Sequence, residues 1–534
     1  MSKTVEALLG TANVSQNQGL LNQTLDHTGF NQIALVKKED SEKQDTQEFL
    51  IALNTILADL QNGENFSKEI TSRIKAKIDQ IVDAQLNEVL KNKDFRYFES
   101  MWLSLNDVFM EAEDAEDVEV CLYEVTKQDL IDDFELNSAD YTGSNLFKNI
   151  YSSEYDQFGG EPYSLVVGMF DIQRNYDDFF MLSNIGKVCA SAHAPFLSNV
   201  GAEFFGYESF DAFSEVNDVA GLLDSSKYSL WKRFRKTEEA AYVGLTFPRY
   251  LLRRPYESDS PELFGNRGRN QYSVSFFSEK QDDPFDQNSY QWGYASGLMA
   301  RNIIKSFKKT GWTQYIRGPL GGGLIDDLPT YEFDLAGYTQ KTGSVEYFIS
   351  DSQEYAFARS GFMPFVGDKR AQGGCFFSVQ SAKYIPEHLD DLDMLETIQA
   401  NANLSYTLSV SRVAHYLKSM VRDRIGSTYD IESVNGFISD WLNSYVTIAS
   451  NPTDVTLAYY PFKQASARVE SQPGKLGWYS CNIDLVPHIQ LEGIDVSLRL
   501  ATKLPIEGEV VEEVAEDDGS SEESESAEDT ATEE

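Results

Sequence analysis

Apolar residues recur at helical spacing in the first part of the chain. Residues 49–60 carry one apolar stripe, residues 74–90 carry a second, and residues 95–105 continue the pattern with large aromatic side chains. Apolar positions three or four residues apart lie on one face of an α-helix. The sequence therefore predicts three amphipathic helices, the first two separated by the polar residues 61–65.

The middle of the chain alternates strand patterns with helix patterns. Residues 118–122 alternate apolar and polar side chains, and residues 164–172 form a nearly continuous apolar run, typical of a strand covered on both faces. Helical patterns follow at 175–192 and 292–312, the second with small residues on one side for close packing. This order of elements predicts a mixed α/β core.

The chain's apolar patterns end in a predicted β-hairpin within residues 467–486, where a Pro-Gly-Lys turn separates two alternating runs. Arg468 and Val469 belong to its first strand. One face of its second strand is formed by Tyr479, Cys481, Ile483 and Leu485. Two interpretations stay open. The hairpin completes a sheet inside this chain, or its free edge accepts a strand from another chain.

Charge narrows the classes of partner. Among 534 residues, 85 are acidic and 45 are basic, which gives a formal net charge of −40. Such a chain repels nucleic acids and anionic lipids, so neither is expected as a partner. Residues 507–534 contain 14 acidic and no basic side chains, which predicts a disordered acidic tail. No apolar stretch approaches the roughly 18–20 residues of a membrane span.

One segment, residues 231–256, is locally basic in this acidic chain. Its cations either pair with acidic side chains of the same protein or contact an acidic surface of a neighbouring subunit. For the second interpretation the candidate interface residues are Lys232, Arg233, Arg235, Arg249, Arg253 and Arg254.

A glycine-rich stretch, RGPLGGGLIDDLPTYEF at 317–333, raises the question of phosphate binding. A phosphate-binding P-loop needs Lys and Ser or Thr directly after its last glycine, whereas Asp326 and Asp327 follow here and would repel phosphate. A helical pattern precedes the glycines, which also disagrees with a dinucleotide fingerprint. We predict a tight loop that lets backbone segments approach closely.

Other candidate chemistry is weak. Cys189 and His193 share a helical face, but no further ligand lies nearby, so a buried helix end is favoured over a metal or nucleophile–base pair. The carboxylate clusters at 111–117 and 282–286 lack calcium-loop spacing. We therefore predict no catalytic residue, metal or cofactor. The four cysteines are far apart and the start of the chain lacks an apolar leader, which favours a cytoplasmic protein.

Six ordered segments resemble the large subunit of the contractile sheath of type VI secretion systems, the TssC or VipB family. In the first of them, FRYFESMWLSL, Phe98 and Ser104 stand where the family usually has Leu and Gly. The segments are FRYFESMWLSL (95–105), DQFGGEPYSLVVGMFDI (156–172), HAPFLSNVGAEFFG (193–206), FRKTEEAAYVGLTFPRYLLRRPY (234–256), RGPLGGGL (317–324) and PGKLGWYSCNIDLVPHIQLEGIDVSLRL (473–500).

The resemblance implies a structural protein rather than an enzyme. It implies phage-tail-sheath-like domains, with N-terminal helices and a C-terminal β-hairpin used for strand exchange. The expected partners are a small sheath subunit, further copies of this chain, an inner tube and a baseplate. A recycling ATPase is expected to bind mainly the small subunit. The expected location is the bacterial cytoplasm.

Pattern and resemblance together predict five regions along the chain. They are a polar N-terminal arm (1–43), a helical region (44–110), a mixed α/β sheath body (111–460), a C-terminal β-rich interlocking segment (461–506) and the acidic tail (507–534).

Overall fold

A computed structural model gives the fold of this protein. It describes residues 68–113, 115, 117–213, 216, 218–257, 277–280, 286–335, 337–369, 372–386, 391–424, 431–447, 449, 452–471 and 479–488. The predicted polar arm, the helix predicted at 49–60, the hairpin turn and the acidic tail lie outside these residues.

Helices surround the sheets and account for much of the described chain. The α-helices are α1 (Lys68–Lys91), α2 (Lys93–Ala112), α3 (Lys127–Leu136), α4 (Asn145–Phe147), α5 (Tyr176–Ala192), α6 (Ala202–Phe205), α7 (Phe210–Phe213), α8 (Val219–Leu223), α9 (Ser229–Arg235), α10 (Ala295–Thr310), α11 (Asp351–Arg359), α12 (Leu392–Ala402), α13 (Leu404–Arg422), α14 (Ile431–Asn443) and α15 (Asp454–Tyr459). A π-helix spans Lys148–Tyr155, and 3₁₀ turns span Tyr141–Gly143, Ser226–Tyr228, Glu239–Tyr242 and Gln287–Ser289.

The strands form one larger sheet and three two-stranded sheets. They are β1 (Val166–Asp171), β2 (Phe196–Asn199), β3 (Val243–Phe247), β4 (Tyr250–Arg253), β5 (Gln291–Gly293), β6 (Leu324–Ile325), β7 (Glu332–Leu335), β8 (Tyr338–Lys341), β9 (Met363–Gly367), β10 (Gly374–Phe376), β11 (Phe462–Ser471) and β12 (Tyr479–Pro487). The larger sheet has the order β1-β2-β3-β9-β10-β6. It is parallel from β1 to β9 and antiparallel from β9 to β6. The predicted mixed α/β fold is confirmed.

Aromatic packing against this sheet forms the main core. Phe205, Phe247 and Phe362 are at most 1% exposed. The Phe205 ring lies 5.4 Å from that of Phe247 and 5.5 Å from that of Phe362, centroid to centroid. Such tilted aromatic pairs add to the stabilisation from buried area. The parallel strands β2 and β3 are buried along their whole length, because helices cover both faces of the sheet.

Most of the helices and strands predicted within the described residues are confirmed, including α1, α2, α5, α10 and the C-terminal hairpin. The strand predicted at 118–122 is wrong, since this stretch has no regular strand structure. Val118 and Val120 pack against the apolar cluster between α2 and α10, whereas Leu122 is 58% exposed. The alternation of apolar and polar residues at 118–122 therefore reflects partial burial of Val118 and Val120, although no neighbouring strand among the described residues is hydrogen-bonded to this stretch.

The glycine-rich loop folds back on itself and onto β10. The N–H of Gly318 donates to the carbonyl of Phe376 at 2.7 Å, and the N–H of Phe376 donates to the carbonyl of Gly323 at 3.1 Å. Gly323 also donates to Gly318 at 2.9 Å. Asp327 forms an ion pair with Arg301. These amides are turned toward protein carbonyls, so the loop serves close backbone packing, as the sequence predicts.

Gly323→Ala should destabilise the fold, because a Cβ at this position would lie 2.6 Å from the Gly318 nitrogen and 2.6 Å from the Phe376 oxygen. Both are backbone atoms that cannot rotate away, so we expect the free energy of unfolding to fall by about 1–3 kcal/mol or more. The measurement is urea unfolding followed by tryptophan fluorescence.

Gly436→Ala is the matched control, because Gly436 lies inside α14 and its added Cβ would meet nothing within 4 Å. Here we expect a gain of roughly 0.5–1 kcal/mol from the lower entropy of the unfolded chain. Equal stabilities for the two variants would contradict the close approach at Gly323.

Candidate assembly interface

The C-terminal hairpin packs one face against helix α14. β11 and β12 run antiparallel, with Val469 opposite Cys481 and Ala467 opposite Ile483. Val469 is buried, and Ile483 and Leu485 pack against the same cluster, which α14 lines with Ile438 and Leu442 among others. Alternating side chains place this apolar face inward. One face of the hairpin is therefore packed inside this chain, but among the described residues β11 and β12 form a sheet of their own and complete no larger one.

The other predicted hairpin residues have different environments. Arg468 is exposed on the face opposite Val469, and Cys481 is a free, exposed cysteine. Tyr479 lies opposite Ser471 at the turn end of the hairpin. Val469, Ile483 and Leu485 of the predicted set thus belong to the packed face, whereas Arg468 and Cys481 are exposed.

The outer edge of β11 already has partners within the chain. Phe462 donates to the carbonyl of Tyr445 at 3.4 Å and accepts from the N–H of Thr447 at 3.2 Å. Further along, the N–H of Val469 donates to the side-chain oxygen of Asn435 in α14 at 3.3 Å. Both ends of this edge are therefore occupied.

The outer edge of β12 is different. Because the Val469 N–H points away from β12, its pair with Cys481 is of the type whose backbone groups face outward on both strands. Every second residue repeats this orientation, so Cys481, Ile483 and Leu485 direct their N–H and C=O groups away from β11. Among the described residues no strand pairs with this edge. With respect to the described residues, this edge is therefore unpaired and has the form of a template for a further strand.

Three arginines of the basic segment form hydrogen bonds or ion pairs with other groups of the same chain. Arg235 is 9% exposed and donates to the backbone carbonyls of Ala382 at 3.2 Å and Arg359 at 2.7 Å. Burial lowers the pKa of Arg235 to about 10, so it stays charged at neutral pH. Arg249 forms a two-pronged pair with the buried Glu346, with contacts of 2.9 and 2.6 Å.

The third, Arg253, is 8% exposed and joins two otherwise separate segments. It donates to Glu99 of α2 at 2.5 and 3.1 Å and to Glu279 at 2.6 Å. Burial would lower the pKa of Arg253, but these carboxylates outweigh it and the pKa is raised. The ion pair therefore holds α2 against β4.

The remaining candidates lie at the surface. Lys232 forms an ion pair with the exposed Asp224, and Arg233 and Arg254 are exposed. This finding corrects the predicted electrostatic interface, because Arg235, Arg249 and Arg253 have internal roles. The candidate set becomes Lys232, Arg233 and Arg254.

The weaker chemical candidates have structural environments. Cys189 is fully buried, and burial raises its pKa. His193 ends α5 in a left-handed conformation, and its Nδ1 lies 3.1 Å from the Tyr242 hydroxyl. The described residues contain no group of His, Cys, Asp and Glu that would hold a metal ion. None of the described helices combines the length and apolarity needed to cross a membrane.

Two family models match this chain. The EvpB/VC_A0108 tail sheath N-terminal domain (VipB) matches residues 72–383, and the EvpB/VC_A0108 tail sheath gpW/gp25-like domain matches residues 395–504. The type VI secretion system sheath protein TssC1 of Pseudomonas aeruginosa is 32% identical over 507 residues, which cover 93% of this chain and 99% of that protein.

A solved structure also aligns with the chain. The cryo-EM structure of the anti-feeding prophage baseplate covers 73% of this chain and 84% of the matched chain, at 10% identity and a TM-score of 0.34. This likeness is too low to support an argument about fold or function.

Arg253→Gln should lower the free energy of unfolding by about 3–5 kcal/mol, because it leaves two buried carboxylates without their cation. The adjacent Arg254→Gln changes an exposed residue and should stay within about 0.5 kcal/mol of the parent. Urea unfolding of both variants tests this difference. A similar small loss in both would show that the Arg253 ion pair does not hold α2 in place.

Proposed function

This chain belongs to the VipB family of type VI secretion tail sheath proteins, and from that premise we propose that it pairs with a small sheath subunit, polymerises around an inner tube and contracts to propel that tube. Membership of this family makes it a structural sheath subunit and not an enzyme. Its role as a subunit of a tail-like sheath assembly follows from the family alone.

The observation that carries the proposal is the open edge of β12. Cys481, Ile483 and Leu485 offer three outward N–H groups and three outward carbonyls. A strand added there would gain a ladder of backbone hydrogen bonds that does not depend on its side chains. Helix α14 packs against one face of the hairpin, and this packing keeps β12 extended before a partner binds.

This arrangement suits a subunit that must stay connected while its neighbours move. The hairpin is a thin two-stranded layer, and the larger sheet is buried between helices. We propose that a strand from another sheath subunit extends the hairpin, so that rigid bodies are joined through sheet hydrogen bonds. β12 then becomes the middle strand, with Tyr479 at its turn end, and Arg468 and Val469 lie on β11, the strand farthest from the added one.

Electrostatic contact is proposed for the exposed cations Lys232, Arg233 and Arg254. A chain with a net charge of −40 presents an acidic surface to its neighbours. Local cations on such a surface reduce repulsion where two subunits meet and fix their orientation. The proposal places an acidic surface of a neighbouring sheath or tube subunit opposite these residues.

The remaining partners follow from the family resemblance. We propose contact with an inner tube protein and a baseplate, action of a recycling ATPase mainly through the small subunit, and a location in the bacterial cytoplasm. The five regions predicted from the sequence, including the interlocking segment at 461–506, are retained as part of this proposal.

Ile483→Pro tests the strand-addition role. Proline removes an N–H that faces away from β11, so the hairpin itself keeps its hydrogen bonds, as edge prolines usually do. We expect hollow tubes to disappear on co-expression with the small subunit, as seen by electron microscopy. The stability of the body should match that of Ile483→Ala, which loses the side chain but keeps the N–H, within about 1 kcal/mol.

Asn482→Pro is the matched counterpart, since Asn482 faces β11 opposite Arg468. This proline removes a hydrogen bond within the hairpin and should cost about 3 kcal/mol or more. Normal tubes from Ile483→Pro, with the fold intact, would refute strand addition at β12. Loss of tubes in Ile483→Ala as well would assign the defect to packing on α14.

A further inference from the structure

A solvent-open cationic pocket lies where helix α13 meets the loop containing the Phe-Gly-Gly-Glu-Pro-Tyr segment, residues 158–163. Its volume is about 260 Å³, and its walls include Tyr155, Arg412, Lys418 and Arg422. The strand-addition role uses none of these residues. We propose that this pocket binds the carboxylate groups of an acidic peptide.

The loop is shaped to form the wall of this pocket. Gly160 lines it, and a Cβ at that position would lie 2.3 Å from the carbonyl oxygen of Glu154, so only glycine fits the fold-back. Arg422 fixes the same loop by donating to the carbonyls of Gln157 at 2.6 Å and Tyr155 at 3.1 Å. The pocket is therefore held by contacts between segments far apart in the sequence.

Its cations are only partly neutralised. Lys418 pairs with Asp156 at 2.9 Å, and the Asp156 side chain is 59% exposed. Arg412 donates to the Tyr416 hydroxyl at 2.7 Å and lies over aromatic rings. Within the described chain, neither Arg412 nor Arg422 forms an ion pair with a carboxylate. In a chain with 85 acidic residues this is a place where an added carboxylate gains charge-assisted hydrogen bonds.

A separate small cavity beside the pocket contains hydroxyl groups that lack partners among the described residues. This cavity of about 10 Å³ shares Ser164, Arg412 and His415 with the larger one. Thr313 and Ser411, 6% and 2% exposed, line it, and neither hydroxyl has a hydrogen-bond partner in the described protein. Buried hydroxyls of this kind are rare in folded proteins. Each would gain a bond from a single oxygen atom, which is as much as a cavity of this size admits.

Aromatic surface beside the cations favours a peptide over a free inorganic anion. Tyr416 lines the pocket and is 45% exposed, and Phe158 in the adjoining loop is 79% exposed. Aliphatic parts of acidic side chains and peptide backbone can cover such rings, whereas phosphate cannot. The chain itself contains a segment of the required composition, with 14 acidic and no basic residues among 507–534.

The test uses a fluorescent peptide with the sequence of residues 507–534, titrated into the full chain and followed by anisotropy. A peptide with every Asp and Glu replaced by the amide is the control for charge. We expect saturable binding of the acidic peptide only, weakened by salt. Repeating the titration with a chain that ends at Ile506 separates the sources. Tighter binding to the shortened chain would show that residues 507–534 compete with the peptide for the pocket. Equal binding would show that they do not compete, and the natural acidic peptide would then belong to another protein.

Ser419→Glu places a carboxylate on the exposed wall of the pocket without removing a structural contact, and Ser419→Gln is its neutral counterpart. We expect Ser419→Glu and Arg422→Gln to weaken peptide binding about tenfold or more. Ser419→Gln and the remote Arg359→Gln should leave it unchanged. Melting curves check folding. Binding that none of these changes alters, or binding of phosphate without binding of peptide, would overturn the proposal.

Discussion

The requirement that buried backbone hydrogen-bonding groups find partners explains both how this chain folds and where it stays open. The glycine-rich loop returns to β10 because the groups of Gly318, Gly323 and Phe376 satisfy one another. The β11 edge is completed by Asn435 and by the segment around Val446. At the β12 edge the described chain provides no such partner, so these surface groups are left to bond to water or to a strand from outside.

Arginine side chains in the interior also have partners within the chain, and these partners lie far away in the sequence. Arg253 is surrounded by two carboxylates from different segments, and Arg249 is matched by Glu346. Once these cations are paired internally, few of the basic segment's charges remain for partners. The pair between Arg253 and Glu99 joins α2 to β4, so these two elements are held together by charge as well as by packing.

Local patterns predicted much of the fold, because helix periodicity and strand alternation act over a few residues. The prediction failed at 118–122, where alternation reflected burial and no neighbouring strand was present. The roles of the basic residues were equally hidden. Arg253 meets Glu99 across 154 positions, and spacing in the sequence carries no sign of that contact. The hairpin residues were predictable, but the outward direction of the Ile483 N–H depends on the pairing register of β11 and β12. The hydrogen bond from Val469 to Asn435 reveals that register, and a strand pattern does not include it.

Charge sets the kind of contact that can hold copies of this chain together. At a net charge of −40, whole subunits repel each other over a distance comparable to the Debye length, about 8–10 Å in physiological salt. Attraction must therefore be short-ranged and directional. Backbone hydrogen bonds along β12 meet that condition, because they form only when the strands are in register and do not depend on net charge. In the proposed assembly, repulsion between the bodies would oppose compaction without breaking such a ladder, so that connectivity and spacing would be controlled by separate forces.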